Sequence, residues 1–113
     1  MARGDGAMIE PPGRRLPLTR MDVAQAETQR QLGIIERQVA ARAERLTITD
    51  RAKRRHNGRG ASSWTNADER LFQEHISELT LARRGEIDAL TRKLERQEKA
   101  IAEFRSRLRV SAA

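Results

Sequence analysis

Apolar residues recur at intervals of three and four along two separate stretches of this chain of 113 residues. That spacing keeps one face of an α-helix apolar over several turns. The first stretch carries Leu32, Ile35, Val39, Ala43 and Leu46, and the second carries Phe72, Ile76, Leu79, Ile87, Leu90, Leu94, Ile101, Phe104 and Leu108. The pattern predicts an all-α fold in which two long helices bury these faces against other helices.

A basic, glycine-containing segment separates the two stretches. Residues 51–60 hold five cations and no acid, and Asn57, Gly58 and Gly60 tolerate the backbone angles of a turn. We therefore expect a helix over about 19–50, a basic loop over about 51–65 and a helix over about 66–109, paired as a helical hairpin or coiled coil. The first helix could instead continue into the basic run as far as Arg55.

The helix ends carry recognisable signals. Asp22 can cap the first helix, and Asn66 followed three residues later by Glu69 has the spacing of a capping box for the second. Trp64 precedes that cap and is expected to pack back on Leu71 or Phe72. Residues 1–17 are rich in Gly, Pro and Arg, so we expect an irregular arm, flexible or ordered by a partner, ahead of a helical domain over 18–113.

The second helix interrupts its own pattern once. An extra four-residue step separates Leu79 from Ile87, and Arg83 occupies the position between them. Such a step is a stutter in a heptad-like repeat. Gly85 lies at the stutter, and we expect any bend of the helix there.

Composition limits the chemistry. Aromatic residues make up 3% of the chain and charged residues 35%, which favours long exposed helices over a compact globule. The absence of cysteine excludes disulfides and thiol catalysis. No nucleophile or phosphate-binding motif is present, so we expect neither an enzyme nor a cofactor nor a small-molecule substrate. His75 and Glu78 are one turn apart and could reach a metal ion, but without a second histidine nearby solvated helix positions are the favoured interpretation.

The net charge of +7 points to an anionic partner. Arginines within a turn can meet phosphates from several directions, so nucleic acid or an acidic protein surface would suit the central segment. The candidate nucleic-acid-binding residues are Arg51, Lys53, Arg54, Arg55, Asn57 and Arg59. A solvated loop whose charges serve only solubility is the equally weighted alternative.

Two functions remain open. The first is a nucleic-acid-binding accessory protein. The second is a structural or adaptor subunit of a larger assembly, such as a phage particle or a secretion or transcription complex. The candidate interface residues are Leu32, Ile35, Val39, Leu46, Phe72, Ile76, Leu79, Ile87, Leu90, Leu94, Ile101, Phe104 and Leu108. Because one such seam is narrow, we expect a homo-oligomer or a hetero-complex. No apolar run is long enough to span a bilayer. Association with an anionic membrane surface is a third and less favoured alternative, because the helices lack a bulky aromatic face flanked by lysines. We therefore expect no membrane partner and a location in the cytoplasm or a virus particle.

Overall fold

Three helices and no strand are present in the residues that the computed structural model describes, 12–54 and 63–112. Helix α1 spans Pro12–Arg54, α2 spans Asn66–Ala82 and α3 spans Arg84–Ala112. The prediction of an all-α fold is confirmed. The last helix ends at Ala112 instead of near 109, and the boundaries differ from the expected ones at three further places.

Helix α1 begins at Pro12, several residues before the expected start near 19. Proline is favoured in the first turn of a helix, where its missing amide N–H would have no intrahelical partner. The half-buried Leu18 and Met21 continue the inner apolar face toward the start of α1. The predicted arm is therefore wrong for residues 12–17, which are helical, and Asp22 lies inside α1 instead of capping it. Residues 1–11 lie outside the described part of the chain.

Helix α1 ends at Arg54, so it continues through the β-branched residues 47–49. Thr47 is fully buried, and its hydroxyl donates to the carbonyl oxygen of Ala43 at 2.8 Å. This bond satisfies the polar group of Thr47 within the helix. Arg51, Lys53 and Arg54 thus belong to the last turn of α1. The predicted start of the basic loop at 51 is wrong, and the alternative in which the first helix continues into the basic run is confirmed as far as Arg54. Residues 55–62 lie outside the described part of the chain.

The expected second helix is divided into α2 and α3 at Arg83, not at Gly85. Arg83 has φ −105° and ψ 14°, and its amide donates to the carbonyl oxygens of both Leu79 and Thr80, at 3.2 and 3.1 Å. The amide of Ile87 then donates to the carbonyl oxygen of Arg83 at 3.0 Å and starts the next run of helical bonds. The break coincides with the extra four-residue step, where a continuous helix would rotate its apolar face away from α1.

The chain divides into two units by its contacts, and Leu32–Asp88 forms the one that we call the central unit. Within it, α2 lies antiparallel to the second half of α1. Arg83 reaches Gln38, His75 reaches Asp50, and Asp68 reaches Arg54, so positions later in α2 contact positions earlier in α1. Its buried apolar side chains are Ile35, Val39 and Ala43 of α1.

The remainder, which we call the terminal unit, joins α1 up to Gln31 with α3 from Ala89. Its order is again antiparallel, because Arg105 lies 3.8 Å from Asp22, whereas the earlier Lys93 lies near the later Glu27. The hydrogen bond from Arg30 and, to a smaller extent, this lysine lower the pKa of the Glu27 carboxyl. Ile101 and Thr28 are buried here, and the hydroxyl of Thr28 donates to the carbonyl oxygen of Ala24 at 3.2 Å. The inner face of α1 therefore extends through a polar position that the apolar pattern did not reveal.

Candidate functional site

The start of α2 is fixed by Thr65 and Asp68. The amide of Thr65 donates to Asp68 Oδ2 at 2.9 Å, and the amide of Asp68 donates to Thr65 Oγ1 at 3.1 Å. These two reciprocal bonds form a capping box. The prediction of Asn66 and Glu69 as the box was therefore wrong by one residue at each end, because the chain enters the helix one residue earlier.

Asp68 also binds the end of α1. Its Oδ2 lies 2.9 Å from Nε of Arg51, and its Oδ1 accepts a hydrogen bond from Nη2 of Arg54 at 3.2 Å. The Nε–H of Arg51 is not aligned for a hydrogen bond, so that contact is an ion pair. The carboxylate is 2% exposed and the Arg51 side chain 15% exposed, which keeps the attraction from being screened as it would be on the surface.

Two of the six predicted nucleic-acid-binding residues are thus engaged inside the chain. Arg51 is largely buried, and its Nη2 also donates to the carbonyl oxygen of Ser63 at 2.9 Å. Arg54 keeps 54% of its side chain exposed, and Lys53 is exposed. Arg55, Asn57 and Arg59 lie outside the described residues. The structure therefore brings Arg51 and Arg54 together around an acid instead of presenting both to solvent.

Trp64 covers this junction from the outside. Its ring meets that of Phe72 edge to face, with 6.0 Å between centroids, as the sequence predicted. The guanidinium carbon of Arg51 lies 5.9 Å from the centre of the Trp64 ring, within the range of a cation–π contact. The indole N–H donates to Glu69 Oε1 at 2.9 Å.

Glu69 is held as a carboxylate by this arrangement. Hydrogen bonds from the side chains of Gln73 and Trp64 lower the pKa of Glu69 below its ordinary value of 4.5. The group is fully exposed, so its effect is a local fixing of the indole and not a large contribution to stability.

The predicted interface residues, which we call the seam residues, are all buried or half-buried within the single chain. Ile35, Val39 and Ile101 are buried. The others are half-buried: Leu32, Leu46, Phe72, Ile76, Leu79, Ile87, Leu90, Leu94, Phe104 and Leu108. Part of each of these side chains is already covered by the chain itself.

His75 belongs to a polar contact between α1 and α2 that sequence reasoning missed. Its Nε2 lies 3.1 Å from Oδ2 of Asp50, and its Nδ1 lies 3.8 Å from Oε1 of Glu78. Across residues 12–54 and 63–112, no group of three or more histidine or acidic side chains is arranged to hold a metal ion.

The stutter leaves the seam of the central unit incompletely filled. An apolar cavity of about 320 Å³ lies where α1 faces the junction of α2 and α3. It is lined by Leu32, Ile35, Glu36, Val39, Ile76, Thr80 and Ile87. The opposite side of the same junction has a smaller cleft of about 180 Å³, bordered by Arg42, Arg45 and Arg83 together with Gln38, Val39 and Leu79.

The outward face of α1 in the central unit carries a second apolar row, which sequence reasoning also missed. Ile34 is 40% exposed and Ile48 is 49% exposed, and the exposed Ala41 lies midway between them. We call these three residues the outer row. Their spacing of seven could have revealed it, because residues seven apart lie on one face of a helix.

Comparison with protein-family models, with curated proteins and with solved structures found no match. In the part of the chain that is described, no helix combines the length and the apolar character needed to cross a membrane.

Proposed function

We propose that this chain is a non-enzymatic helical adaptor that binds a partner protein through the outer row of α1. The observation that carries the proposal is the outer row itself. At 3.6 residues per turn, Ile34, Ala41 and Ile48 lie roughly 150° around α1 from the buried Ile35 and Val39. One helix thus has an inner face that packs within the central unit and an outer face whose row residues are exposed.

Single exposed apolar residues are common on protein surfaces and need no explanation. Two exposed isoleucines on one helix face, with an alanine between them, give a partner helix a row of apolar contacts two helical turns apart. Leu16 and Val23, also exposed and seven residues apart, repeat the arrangement within the terminal unit. Within the central unit, the antiparallel contacts support the finer proposal of a helical hairpin with a coiled-coil-like seam.

A photo-cross-linking amino acid at Ala41, introduced into the protein in its own cells, tests the adaptor function. We expect a defined cross-linked protein species from position 41 and none from Glu74, an exposed position on α2. The double variant I34Q/I48Q should retain the helical content of the wild-type protein but should no longer form the cross-linked species. Equal cross-linking from both positions, or none from position 41, would overturn the proposal.

Nucleic-acid binding is the second candidate, favoured by the exposed Lys53 and by the five cations of residues 51–59. Because Asp68 already neutralises part of the charge of Arg51 and Arg54, we expect at most three phosphate contacts from this segment. The logarithm of the affinity would then fall with the logarithm of salt concentration with a slope of about −3. A salt titration of duplex DNA binding measures this slope, and absence of binding at low salt would discard the candidate.

Self-association also remains a proposal. The half-buried seam residues leave edges that a second copy could cover, and light scattering of wild type and of the seam variant Leu94→Asp would measure it. A mass equal to that of the 12.9 kDa monomer at all concentrations would contradict it.

A further inference from the structure

The cleft between α1 and the junction of α2 with α3 combines an apolar floor with a basic rim. Val39 is buried and Leu79 half-buried at its base, and its rim is formed by Arg42, Arg45 and Arg83. Three arginine side chains border this space of about 180 Å³, and guanidinium groups are the donors that bind a carboxylate group most strongly.

Arg83 is fixed in this position by contacts on two sides. Its Nη1 donates to Gln38 Oε1 at 2.7 Å, its Nε donates to Glu86 Oε1 at 3.0 Å, and its Nη2 lies 2.9 Å from the same carboxylate oxygen. The two hydrogen bonds use two of the five N–H donors of the guanidinium group, and the ion pair with Glu86 holds its third nitrogen. Arg83 is therefore preorganised, which lowers the entropy that a ligand must remove on binding.

The acids of α1 near the cleft lie on other sides of the helix. Glu44 and Arg45 are adjacent in sequence, so their side chains are about 100° apart around α1. They therefore flank the outer row on opposite sides, and Arg45 is the one on the side of the cleft. Arg42 and Arg45 are both exposed on the side that leads from the outer row to the cleft. Glu86 neutralises the charge of Arg83, so the net positive charge around the cleft comes from Arg42 and Arg45.

We propose that this cleft binds a carboxylate side chain from an acidic amphipathic helix of a partner protein. The apolar side of that helix would lie on the outer row. The inference rests on the adaptor function proposed above and adds the chemistry of the partner. The apolar floor and the adjacent isoleucines favour a protein segment over nucleic acid, because a phosphate backbone gains nothing from covering them.

A second copy of this chain matches the cleft less well than an acidic helix does. Its outer row is flanked by two arginines, Arg37 and Arg45, and by one acid, Glu44. A partner helix with glutamates at its flanking positions brings only carboxylates to the basic rim, and light scattering of the wild type shows whether a second copy covers this face instead.

Fluorescence anisotropy with three labelled probes tests the inference. The first is a synthetic amphipathic peptide with a leucine row flanked by glutamates, the second has glutamines at the same flanking positions, and the third is duplex DNA. We expect the glutamate peptide to bind about tenfold more tightly than the glutamine peptide, the effect of one good charge-assisted hydrogen bond. R42Q/R45Q should remove that preference.

The matched control is R92Q/R96Q, which removes the same charge from exposed positions of the terminal unit. We expect the control to change the affinity less than twofold. An equal loss in both double variants would show general charge attraction and overturn the inference. Equal affinity for the two peptides would overturn it as well, and so would DNA binding that is tighter than peptide binding and is lost in R42Q/R45Q.

The variant I34Q/I48Q separates the two proposals. If glutamate-peptide binding needs both the isoleucines and the arginines, both proposals are supported. If it needs the isoleucines alone, the docking face stands and the carboxylate cleft is overturned. If it needs the arginines alone, the cleft stands and the docking face is overturned. Because all four substituted residues are exposed, loss of folding is not expected, and circular dichroism verifies this.

Discussion

Replacing Asp68 with alanine should be the most damaging single change at the junction of α1 and α2. Asp68 accepts from the amide of Thr65, and it forms ion pairs with Arg51 and Arg54. Loss of the capping acceptor should cost about 0.5–1 kcal/mol. Removing one partner of a fully buried ion pair costs about 3–5 kcal/mol.

The full value does not apply here, since Arg51 keeps its hydrogen bond to Ser63 and Arg54 is more than half exposed. Pairs with exposed partners contribute about 0–1 kcal/mol. We therefore expect Asp68→Ala to lower the free energy of unfolding by about 2–4 kcal/mol. Asp68→Asn retains an oxygen that can accept from the Thr65 amide, so only the charge is lost. We expect this variant to lower the free energy of unfolding by about 1–3 kcal/mol.

Urea unfolding followed by circular dichroism and by the fluorescence of Trp64, the only tryptophan, measures these changes. Asp88→Ala is the matched control, because Asp88 is an exposed acid of the same unit, and we expect a change within about 0.5 kcal/mol. A double-mutant cycle with Arg51→Met should give a coupling energy of about 1–3 kcal/mol. A loss below about 0.5 kcal/mol in Asp68→Ala, or no coupling to Arg51, would refute this account of the junction.

Three further predictions concern other contacts. Thr47→Val should change the free energy of unfolding by no more than about 1 kcal/mol, because the buried hydroxyl serves only its own helix; a loss above about 2 kcal/mol in urea unfolding would contradict this. Gln97→Leu should stabilise the chain by about 1 kcal/mol, since Gln97 Oε1 is buried without a hydrogen-bond partner among the described residues; a fall in the urea midpoint would count against it. The lowered pKa of Glu69 means that its hydrogen bond to Trp64 is present above pH 4.5 and is lost as the pH falls through the folded-state value, so acid titration should shift the Trp64 emission. That shift should be missing in Glu69→Gln, and an identical shift in both proteins would exclude Glu69 as its source.

The sequence predicted the helical class because apolar spacing of three and four is a strong and local signal. It also predicted the contact of Trp64 with Phe72, since a residue just before a helix start packs on the first turns of that helix. The helix break was located to the correct step of the pattern but to the wrong residue. Gly85 has a weaker helix propensity than Arg83. The position of the break is instead set by the extra four-residue step in the apolar pattern, and Arg83 lies midway through that step, between Leu79 and Ile87.

Asp68 shows why the site was harder to predict than the fold. Asp68 lies on the inner face of α2 one helical turn before Phe72, and Arg51 and Arg54 lie in the last turn of α1. Extending the inner face of each helix by one turn would have placed Asp68 opposite these arginines. The prediction used apolar spacing alone, and such a pattern carries no information about the polar residues beyond its end. The cleft at Arg83 could not be predicted for a different reason. Arg42 and Arg45 are distant from Arg83 in the sequence, and the three lie close together only because of the register between α1 and α2.

Thiol labelling tests most directly the claim that α1 has a buried inner face and an exposed outer face. The chain has no cysteine, so Ala41→Cys and Ala43→Cys give two single-thiol proteins that differ by two positions on one helix. Ala41 is exposed and Ala43 is 0% exposed. We predict that the thiol at position 41 reacts with a maleimide as fast as a free peptide thiol, whereas the thiol at position 43 reacts only when the unit opens. Similar rates at both positions in the folded protein would contradict the account.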